Sequence, residues 1–424
     1  MPLVRDNQGS QIFVLDAQVP SMSDASSLLI PEGFRFGAAK AGLKASGRTD
    51  FALILADAPA SAAAAFTANR VTAAPLIVDK THLQMTGGKV RAVAINAGNA
   101  NCAAGEAGME AARKTCYAIA EQFGCQPQEV FPSSTGVIGV PLPAEKIVAI
   151  LPTLAADLGA EFDHFLLAAQ AIMTTDTVEK TAFARLEIEG CEVRIAAFCK
   201  GAGMIHPQLV PHATMLVYIL TDAAVEPAVL DGYLRPSIEI SFNRISVDGD
   251  TSTNDTVLLL ASGASGAVVG AGNTAFGAAL TQICTSLAQQ VVGDGEGISH
   301  VVELHIEGAA TDADALKVAK AIAHSPLVKT AWSGGDPNWG RLAAALGYSG
   351  AEIDPERFEI RFGELAICRD GGRAAEFDEK AAHDYIAQRE FDLTIDLHVG
   401  AGSCIFWTTD LTHDYVSINA DYST

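Results

Sequence analysis

Residues 200–222 read KGAGMIHPQLVPHATMLVYILTD, a loop rich in glycine, proline and histidine that leads into an apolar run. Thr214 opens that run, which continues from Met215 to Leu220. A β-branched residue at this point is typical of the start of a buried strand. It also fits an N-terminal-nucleophile enzyme, in which the chain cleaves its own bond between Ala213 and Thr214. The pattern alone leaves both interpretations open.

Thr214 has the chemistry that the second interpretation requires. An α-amino group titrates at about 8, so close to neutral pH a fraction of it is unprotonated and can accept the hydroxyl proton without help from a histidine. Acyl transfer also needs donors for an oxyanion. The turn SSTG at residues 133–136 is a candidate, because a small turn lets a hydroxyl and a backbone N–H point at one oxygen.

Strand and helix patterns alternate along the chain. An apolar stripe that ends before Gly124 predicts a helix over Gly105–Phe123, and Thr311 is placed to start another helix that reaches His324. Period-2 alternation predicts strands at 89–95, 302–306, 358–362 and 391–399 and a hairpin over 184–197. Several of these strands are polar on one face, so the predicted class is α/β or α+β with antiparallel or mixed sheets.

Composition limits the possible partners. Lysine and arginine number 28 against 50 aspartates and glutamates, a formal charge of -22 that argues against nucleic acid and against an anionic membrane surface. Eight scattered cysteines without a CxxC pair, and no apolar leader segment before Ser21, favour a cytoplasmic enzyme with reduced thiols. We expect no metal site, since His206 and His212, six residues apart in a loop, lack the ligand set of a zinc site.

One long segment carries no charge. Residues 256–293 contain no charged side chain, which raises the question of a membrane helix. Polar residues and glycines interrupt the segment so often that no stretch of about 20 residues is predominantly apolar. We therefore predict that it forms core. Its Gly270-Ala-Gly272 is not a full dinucleotide fingerprint, and a tight turn is the preferred interpretation over a nucleotide-binding module.

A polar motif, SVDGDTSTNDT, occupies residues 246–256. Counted from Asp248, the twelfth position of a calcium loop is Leu259 and not glutamate, so the EF-hand interpretation fails. Two roles stay open for the motif. It is either a turn held by hydrogen bonds from side chains to the backbone, or a polar wall of an active site.

Ten short segments, in order along nearly the whole chain, resemble the ornithine acetyltransferase (glutamate N-acetyltransferase) family of arginine biosynthesis. They are NAGNAN at 96–101, STGVIG at 134–139, AIMTTDT at 171–177, KGAGMI at 200–205, ATML at 213–216, DGDTSTNDT at 248–256, DGEG at 294–297, SPLVKTA at 325–331, DPNWGR at 336–341 and NADYST at 419–424.

The resemblance implies a layered α/β sandwich of the N-terminal-nucleophile type with a second α/β domain. It implies cleavage between Ala213 and Thr214 into an α chain, 1–213, and a β chain, 214–424, which interlock and assemble as two α and two β chains. Thr214 would be the nucleophile, with Thr135 and Gly136 stabilising the oxyanion. The substrate-binding positions implied by the resemblance are Thr174, Lys200, Thr214, Glu296, Asn419 and Thr424.

The implied reaction moves the acetyl group of N2-acetylornithine to glutamate through an acetyl-threonine, without a cofactor. Lys200 would hold a substrate carboxylate and Glu296 the δ-ammonium of ornithine. Whether acetyl-CoA is a second donor stays open. The alternative is an amidohydrolase or aminopeptidase with the same self-cleaving threonine, in which water accepts the acyl group.

Overall fold

A computed structural model describes residues 3–5, 11–16, 29–207 and 215–421. The helices in these ranges are α1 (Ala74–Thr86), α2 (Gly105–Phe123), α3 (Ala144–Ala156), α4 (Phe162–Ala171), α5 (Pro227–Glu239), α6 (Thr274–Gly293), α7 (Asp312–Ala323), α8 (Pro326–Ser333), α9 (Trp339–Gly347), α10 (Glu379–Ile386) and α11 (His413–Asp421). The strands are β1 (Leu3–Arg5), β2 (Gln11–Asp16), β3 (Phe34–Ala39), β4 (Phe51–Phe66), β5 (Lys89–Asn99), β6 (Val130–Val137), β7 (Lys180–Ile188), β8 (Cys191–Lys200), β9 (Leu216–Thr221), β10 (Thr256–Ala261), β11 (Val301–Ala309), β12 (Glu359–Phe362), β13 (Leu365–Arg369), β14 (Gly372–Arg373), β15 (Glu390–Asp396) and β16 (Gly402–Thr409).

The first sheet is mixed, as the sequence predicts. Its strands follow the order β1-β2-β7-β8-β9-β10-β4-β5-β6, and β3 also pairs with β4. The pairs β9–β10 and β5–β6 are parallel and the other pairs are antiparallel. The predicted hairpin is β7–β8, which turns at Glu189 and Gly190, both with positive φ.

β4 joins two halves of this sheet. Its first part pairs with β3 and β5, its last part pairs with β10, and its register against β5 shifts between Leu55 and Ala60. Because side chains alternate faces along a strand, the two faces of each half belong to different cores. In β8, Ala196 and Phe198 face a shared central core while Ile195 and Ala197 face α5 and α6.

The second half of the sheet has the same arrangement. In β5, Val93 and Ile95 face the central core, whereas Ala92 and Ala94 face α2 and α3. The central core therefore lies between two β layers, and each β layer carries helices on its outer face. This α/β/β/α arrangement confirms the predicted layered sandwich with mixed sheets.

The uncharged segment forms β10 and α6. α6 packs on the layer formed by β7, β8, β9 and β10, on the face away from the central core. Buried positions along α6 include Phe276, Leu280, Ile283, Leu287 and Val291. This placement confirms the prediction that the segment forms core. Within the described ranges, no helix combines the length and the apolar character that a membrane crossing requires.

A second, six-stranded sheet follows the order β14-β13-β12-β15-β11-β16 and has its own core with α7 to α10. Thr311 caps α7 by accepting from the backbone N–H of Asp314, as the sequence predicts. β11 and β15 confirm the predicted alternation, with Val302, Leu304 and Ile306 buried. The predicted second α/β domain is therefore present.

The two sides of the expected cleavage point share one sheet. β9 follows that point, yet it lies between β8 and β10 and pairs with both. β10 in turn pairs with β4. The neighbouring strands β9 and β10, from residues 214–424, therefore lie between β8 and β4, from residues 1–213, in one sheet.

Candidate active site

A polar cavity of about 110 Å³ opens where β8 ends and where β9 and β10 begin. The ends of β5 and β6 close its other side. It is lined by Ala100, Thr135, Gly136, Ile138, Thr174, Thr175, Lys200, Gly203, Met204, Met215, Leu216, Ser252, Thr253, Asn254, Asp255, Glu296 and Asn419. The cavity thus brings together Thr135, Gly136, Thr174, Lys200, Glu296 and Asn419, which are far apart in the sequence.

Three of the predicted site residues are not among those that the structure describes. Ala213, Thr214 and Thr424 fall outside the described residues, as does His212. Met215, the residue after Thr214, lines the cavity, and its carbonyl accepts from the backbone N–H of Thr256 at 2.8 Å.

Gly136 lies in β6 close to the backbone of β5 at Gly98 and Asn99. Its φ is 129°, and a Cβ atom there would lie 2.3 Å from the carbonyl carbon of Gly98. The β5–β6 register is irregular at Gly98 and Asn99, opposite Thr135 and Gly136. Such irregularities re-aim side chains and backbone groups beside active sites. Glycine is therefore required at position 136 on steric grounds, independent of any catalytic role.

Lys200 is the buried cation of the cavity, with 8% of its surface exposed. Asp176 lies behind it and accepts from the backbone N–H groups of Thr174 at 2.9 Å and Gly201 at 2.6 Å. Burial alone raises the pKa of Asp176, but the positive charges of Lys200 and Lys180 outweigh burial and hold the pKa well below its ordinary value. Asp176 is therefore a carboxylate that stabilises the charge of Lys200.

Glu296 lies over Gly203, where a Cβ atom would approach the carboxyl group to 2.4 Å. Its backbone N–H donates to the carbonyl of Ala202 at 3.0 Å. Asn419 of α11 donates to Oε2 of Glu296 at 2.9 Å. The cavity thus has a buried lysine from the end of β8 and a carboxylate from the turn after α6.

The polar motif lines the cavity and also makes hydrogen bonds from its side chains to the backbone. Ser252, Thr253, Asn254 and Asp255 line the cavity. Asn254 also donates to the carbonyls of Ala100 at 2.6 Å and of Ser134 at 2.9 Å, which fixes the β5 and β6 ends against β10.

Asp248, earlier in the same motif, accepts from the backbone N–H groups of Met204 at 2.6 Å and Ile205 at 2.9 Å. Met204 has a φ of 55°, an uncommon conformation for a non-glycine residue. Burial raises the pKa of Asp248, and hydrogen bonds from the backbone oppose that shift. Asp248 holds the segment that follows Lys200 in place.

His206 packs edge-on against His324, with ring centroids 4.1 Å apart. Nδ1 of His206 lies 3.2 Å from the carbonyl of Gly249, and Nε2 of His324 lies 3.1 Å from the hydroxyl of Ser246. The two rings join the loop after β8 to the second domain. Among the described residues, a group with metal-ligand spacing occurs at Glu303, His305 and Asp392, on the second sheet and not on the cavity.

Sequence reasoning missed the charge network behind the cavity. Nζ of Lys180 lies 2.8 Å from Oδ1 of Asp176 and 2.6 Å from Oδ2 of Asp294. Asp176 belongs to the AIMTTDT segment and Asp294 to the DGEG segment, but no role follows from these segments for either residue. The sequence does contain one indication of this network, because Asp176 and Lys180 have opposite charges and are four residues apart.

Comparison with known proteins identifies relatives over nearly the whole chain. A family model described as "ArgJ family" matches residues 35–424. The "Arginine biosynthesis bifunctional protein ArgJ" of Geobacter sulfurreducens is 46% identical over 398 residues, covering 93% of this chain and 99% of that protein. The protein of the same name from Symbiobacterium thermophilum is 45% identical over 406 residues, covering 94% and 99%.

Solved structures give matches to part of the chain. The arginine biosynthesis bifunctional protein of Bacillus halodurans is 41% identical with a TM-score of 0.48, covering 49% of this chain and 100% of that chain. The ornithine acetyltransferase of Mycobacterium tuberculosis complexed with ornithine is 33% identical with a TM-score of 0.41, covering 47% and 100%. The family resemblance that the ten segments indicate is confirmed by the family model and the relatives, and the chain belongs to the ArgJ family.

Proposed function

We propose that the protein is an acetyltransferase that moves the acetyl group of N2-acetylornithine to glutamate by way of an acetyl ester on Thr214. The observation that carries this proposal is the cavity. Six residues expected at such a site line it, together with Met215, which directly follows the expected nucleophile. Membership of the ArgJ family favours transfer to glutamate over hydrolysis.

In the proposed reaction the chain first cleaves itself between Ala213 and Thr214. The hydroxyl oxygen of Thr214 then attacks the acetyl carbonyl, and the new α-amine accepts the hydroxyl proton. Thr135 and Gly136 donate to the oxyanion. Ornithine leaves with that proton on its amine. The α-amine of glutamate then attacks the ester carbonyl, the ester C–O bond breaks to release N-acetylglutamate, and the proton lost by the glutamate amine returns to the threonine oxygen through the α-amine of Thr214.

The charges around the cavity support binding of amino-acid substrates. Lys200 is a buried cation suited to a carboxylate, and Glu296 is an anion suited to the δ-ammonium of N2-acetylornithine. Lys200 would select for substrates that carry a carboxylate, because a ligand without one leaves a buried cation unpaired. The site thus accommodates amino acids despite a chain charge of -22.

Assembly and location follow from the same proposal. Strands from both sides of the break pair within one β layer, so the α and β chains would remain together after cleavage. We include assembly as two α and two β chains, action in the cytoplasm and no cofactor in the proposal. Native mass spectrometry tests the assembly directly.

Intact-mass spectrometry and an acyl-transfer assay test the function. The wild-type chain is expected to give two fragments that meet at residues 213 and 214, whereas Thr214→Ala stays full length and inactive. Thr81→Ala is the matched control, since the Thr81 hydroxyl bonds only to the Ile77 carbonyl of its own helix among the contacts described.

The assay uses N2-acetylornithine with and without glutamate. Ornithine release that requires glutamate supports the transferase, and release that ignores glutamate supports the hydrolase. Acetyl-CoA is tested as a donor in parallel, because the relatives are named bifunctional. A single uncleaved chain with full activity would contradict the mechanism.

A further inference from the structure

Three segments that carry substrate-binding positions meet around one buried lysine. Lys180, at the start of β7, has a fully buried side chain and lies between the carboxylates of Asp176 and Asp294. The exposed fractions of those carboxylate side chains are 0% and 8%. The charges therefore interact away from bulk water. Their electrostatic attraction is strong there, and removal of one partner destabilises the fold because it leaves a buried charge unpaired.

Asp176 joins two of the segments. Its two oxygens accept from the backbone N–H groups of Thr174 and Gly201, one residue after Lys200. The carboxylate thereby sets the position of the Thr174 loop relative to the end of β8. It also places a negative charge beside the buried Lys200.

Asp294 joins the third segment. It follows the last residue of α6, and its oxygens accept from the backbone N–H of Thr177 at 3.0 Å and from the Thr177 hydroxyl. Glu296 lies two residues further on. The turn that carries Glu296 is thus fixed to the Thr174–Thr177 segment through Asp294.

Lys180 neutralises both carboxylates at once. Burial alone lowers the pKa of Lys180, but Asp176 and Asp294 outweigh burial and raise the pKa above its ordinary value, so the lysine stays charged. Without that charge, Asp176 and Asp294 would face each other as buried like charges. Asp176 would then also lack one of the two cations that compensate it.

We propose that Asp176, Lys180 and Asp294 are positioning residues that set the separation and orientation of Lys200 and Glu296, and thereby the preference between substrates. This inference rests on the proposed function, because it assigns the substrate carboxylate to Lys200 and the δ-ammonium to Glu296. Asp176 acts on the Lys200 side of the cavity and Asp294 on the Glu296 side. We therefore expect Asp294 to affect the substrate that carries a δ-ammonium, and Asp176 to affect both substrates, because each of them carries a carboxylate.

The test compares Asp176→Asn and Asp294→Asn in the full-length, self-processed protein. Asp294→Asn is expected to raise the KM for N2-acetylornithine on the order of tenfold and the KM for glutamate much less, because misplacement of a positioning group by about 1 Å is costly. Asp176→Asn is expected to raise both KM values, since both substrates carry a carboxylate. Lys180→Met combines both effects and lowers the melting temperature most.

Asp222→Asn is the matched control. Asp222 is also buried and accepts from two backbone N–H groups, of Arg194 and Glu32, but it follows the opposite end of β9, roughly 20 Å from the cavity at about 3.3 Å per residue. This variant is expected to lower the melting temperature and leave both KM values unchanged. Equal KM values in all variants, with only the melting temperature reduced, would overturn the inference.

Hydrogen–deuterium exchange separates this inference from the proposed function. Faster exchange at residues 174–177, 200–204 and 294–297 in Asp176→Asn, but not in Asp222→Asn, supports the positioning role even if the wild type transfers no acetyl group. Unchanged exchange in those three segments contradicts the role whatever the activity. An inactive wild type with the expected exchange pattern would refute the proposed function alone.

Discussion

Asn419 donates its side-chain amide to the carboxylate of Glu296, with 2.9 Å between Nδ2 and Oε2 and 123 residues between the two positions. The contact fixes α11 at the cavity. No residue of α11, all of which the structure describes, is buried. Polar contacts therefore hold this helix in place, and they include the Tyr415 hydroxyl, which donates to Asp248 at 3.3 Å.

Asn419→Ala removes the contact from α11 to Glu296. A hydrogen bond to a charged group that is partly exposed contributes on the order of 1 kcal/mol, which is about fivefold in affinity. We expect the KM for N2-acetylornithine to rise by about that factor, measured in steady-state assays. Ser417→Ala on the same helix is the control, because its hydroxyl bonds to the backbone of α11. A KM that does not change would contradict a binding role for Asn419.

Gly136→Ala is expected to destabilise the fold itself. A Cβ atom at this position would lie 2.3 Å from the Gly98 carbonyl carbon and 2.5 Å from the Asn99 nitrogen, so β5 and β6 would have to separate. We expect a loss of more than about 3 kcal/mol in the free energy of unfolding, measured by urea denaturation.

Gly139→Ala separates steric contact from backbone conformation. Gly139 also has a positive φ, 84°, but no heavy atom lies within 4 Å of its added Cβ among the described residues. The free energy of unfolding of Gly139→Ala should fall by about 1 kcal/mol, which is the cost of the left-handed conformation for alanine. Equal losses for the two variants would show that the close approach of β5 and β6 is not the cause.

Gly203→Ala should affect binding more than stability. The added Cβ would lie 2.4 Å from the Glu296 carboxyl group, which is the end of a flexible side chain and can move aside. We expect a stability change within about 1 kcal/mol. The KM for N2-acetylornithine should rise on the order of tenfold, because the carboxylate leaves its position.

The control for Gly203→Ala is Gly232→Ala in α5, where no described atom lies within 4 Å of the added Cβ. That variant should leave both KM values unchanged and slightly stabilise the helix. A glutamate KM that rises as much as the N2-acetylornithine KM in Gly203→Ala would mean that the substitution disturbs the whole cavity.

Local elements of the fold could be predicted because their signals are local. Thr311 caps α7 through an N–H three residues away, and Gly124 ends α2 with a φ of 67°. The arrangement of strands could not be predicted in this way. β4 binds β10 across almost 200 residues, and its register shift between Leu55 and Ala60 depends on contacts with both halves of the sheet.

The candidate site shows the same division. The segments that resemble the family predict which residues belong to one site, and six of those residues line the cavity. The charges that position them are set by tertiary contacts. Lys180 and Asp294 are 114 residues apart, and neither spacing nor periodicity relates them. Only the folded chain shows that their opposite charges meet in a buried space.

The His206–His324 pair should make stability depend on pH. Burial, and then the charge of Lys320, lowers the pKa of His206 to about 4. Burial, and then the charge of His206, lowers the pKa of His324 to about 3. Both values lie below the ordinary 6.5, so the unfolded chain binds protons that the folded chain does not. The free energy of unfolding must therefore fall as pH falls from about 6.5 towards about 4.

His324→Gln removes one of the two titrating groups. A histidine that is neutral when folded and protonated when unfolded contributes up to about 1.4 kcal/mol per pH unit. We therefore expect a shallower fall in the free energy of unfolding of His324→Gln between pH values of about 6.5 and 4, measured by urea denaturation at several pH values. His413→Gln, at an exposed histidine, should retain the wild-type slope. Stability depends on pH only where the folded and unfolded chains bind different numbers of protons. If the free energy of unfolding fell equally steeply with pH in His324→Gln and in the wild type, the histidine pair would bind protons equally in the folded and the unfolded chain.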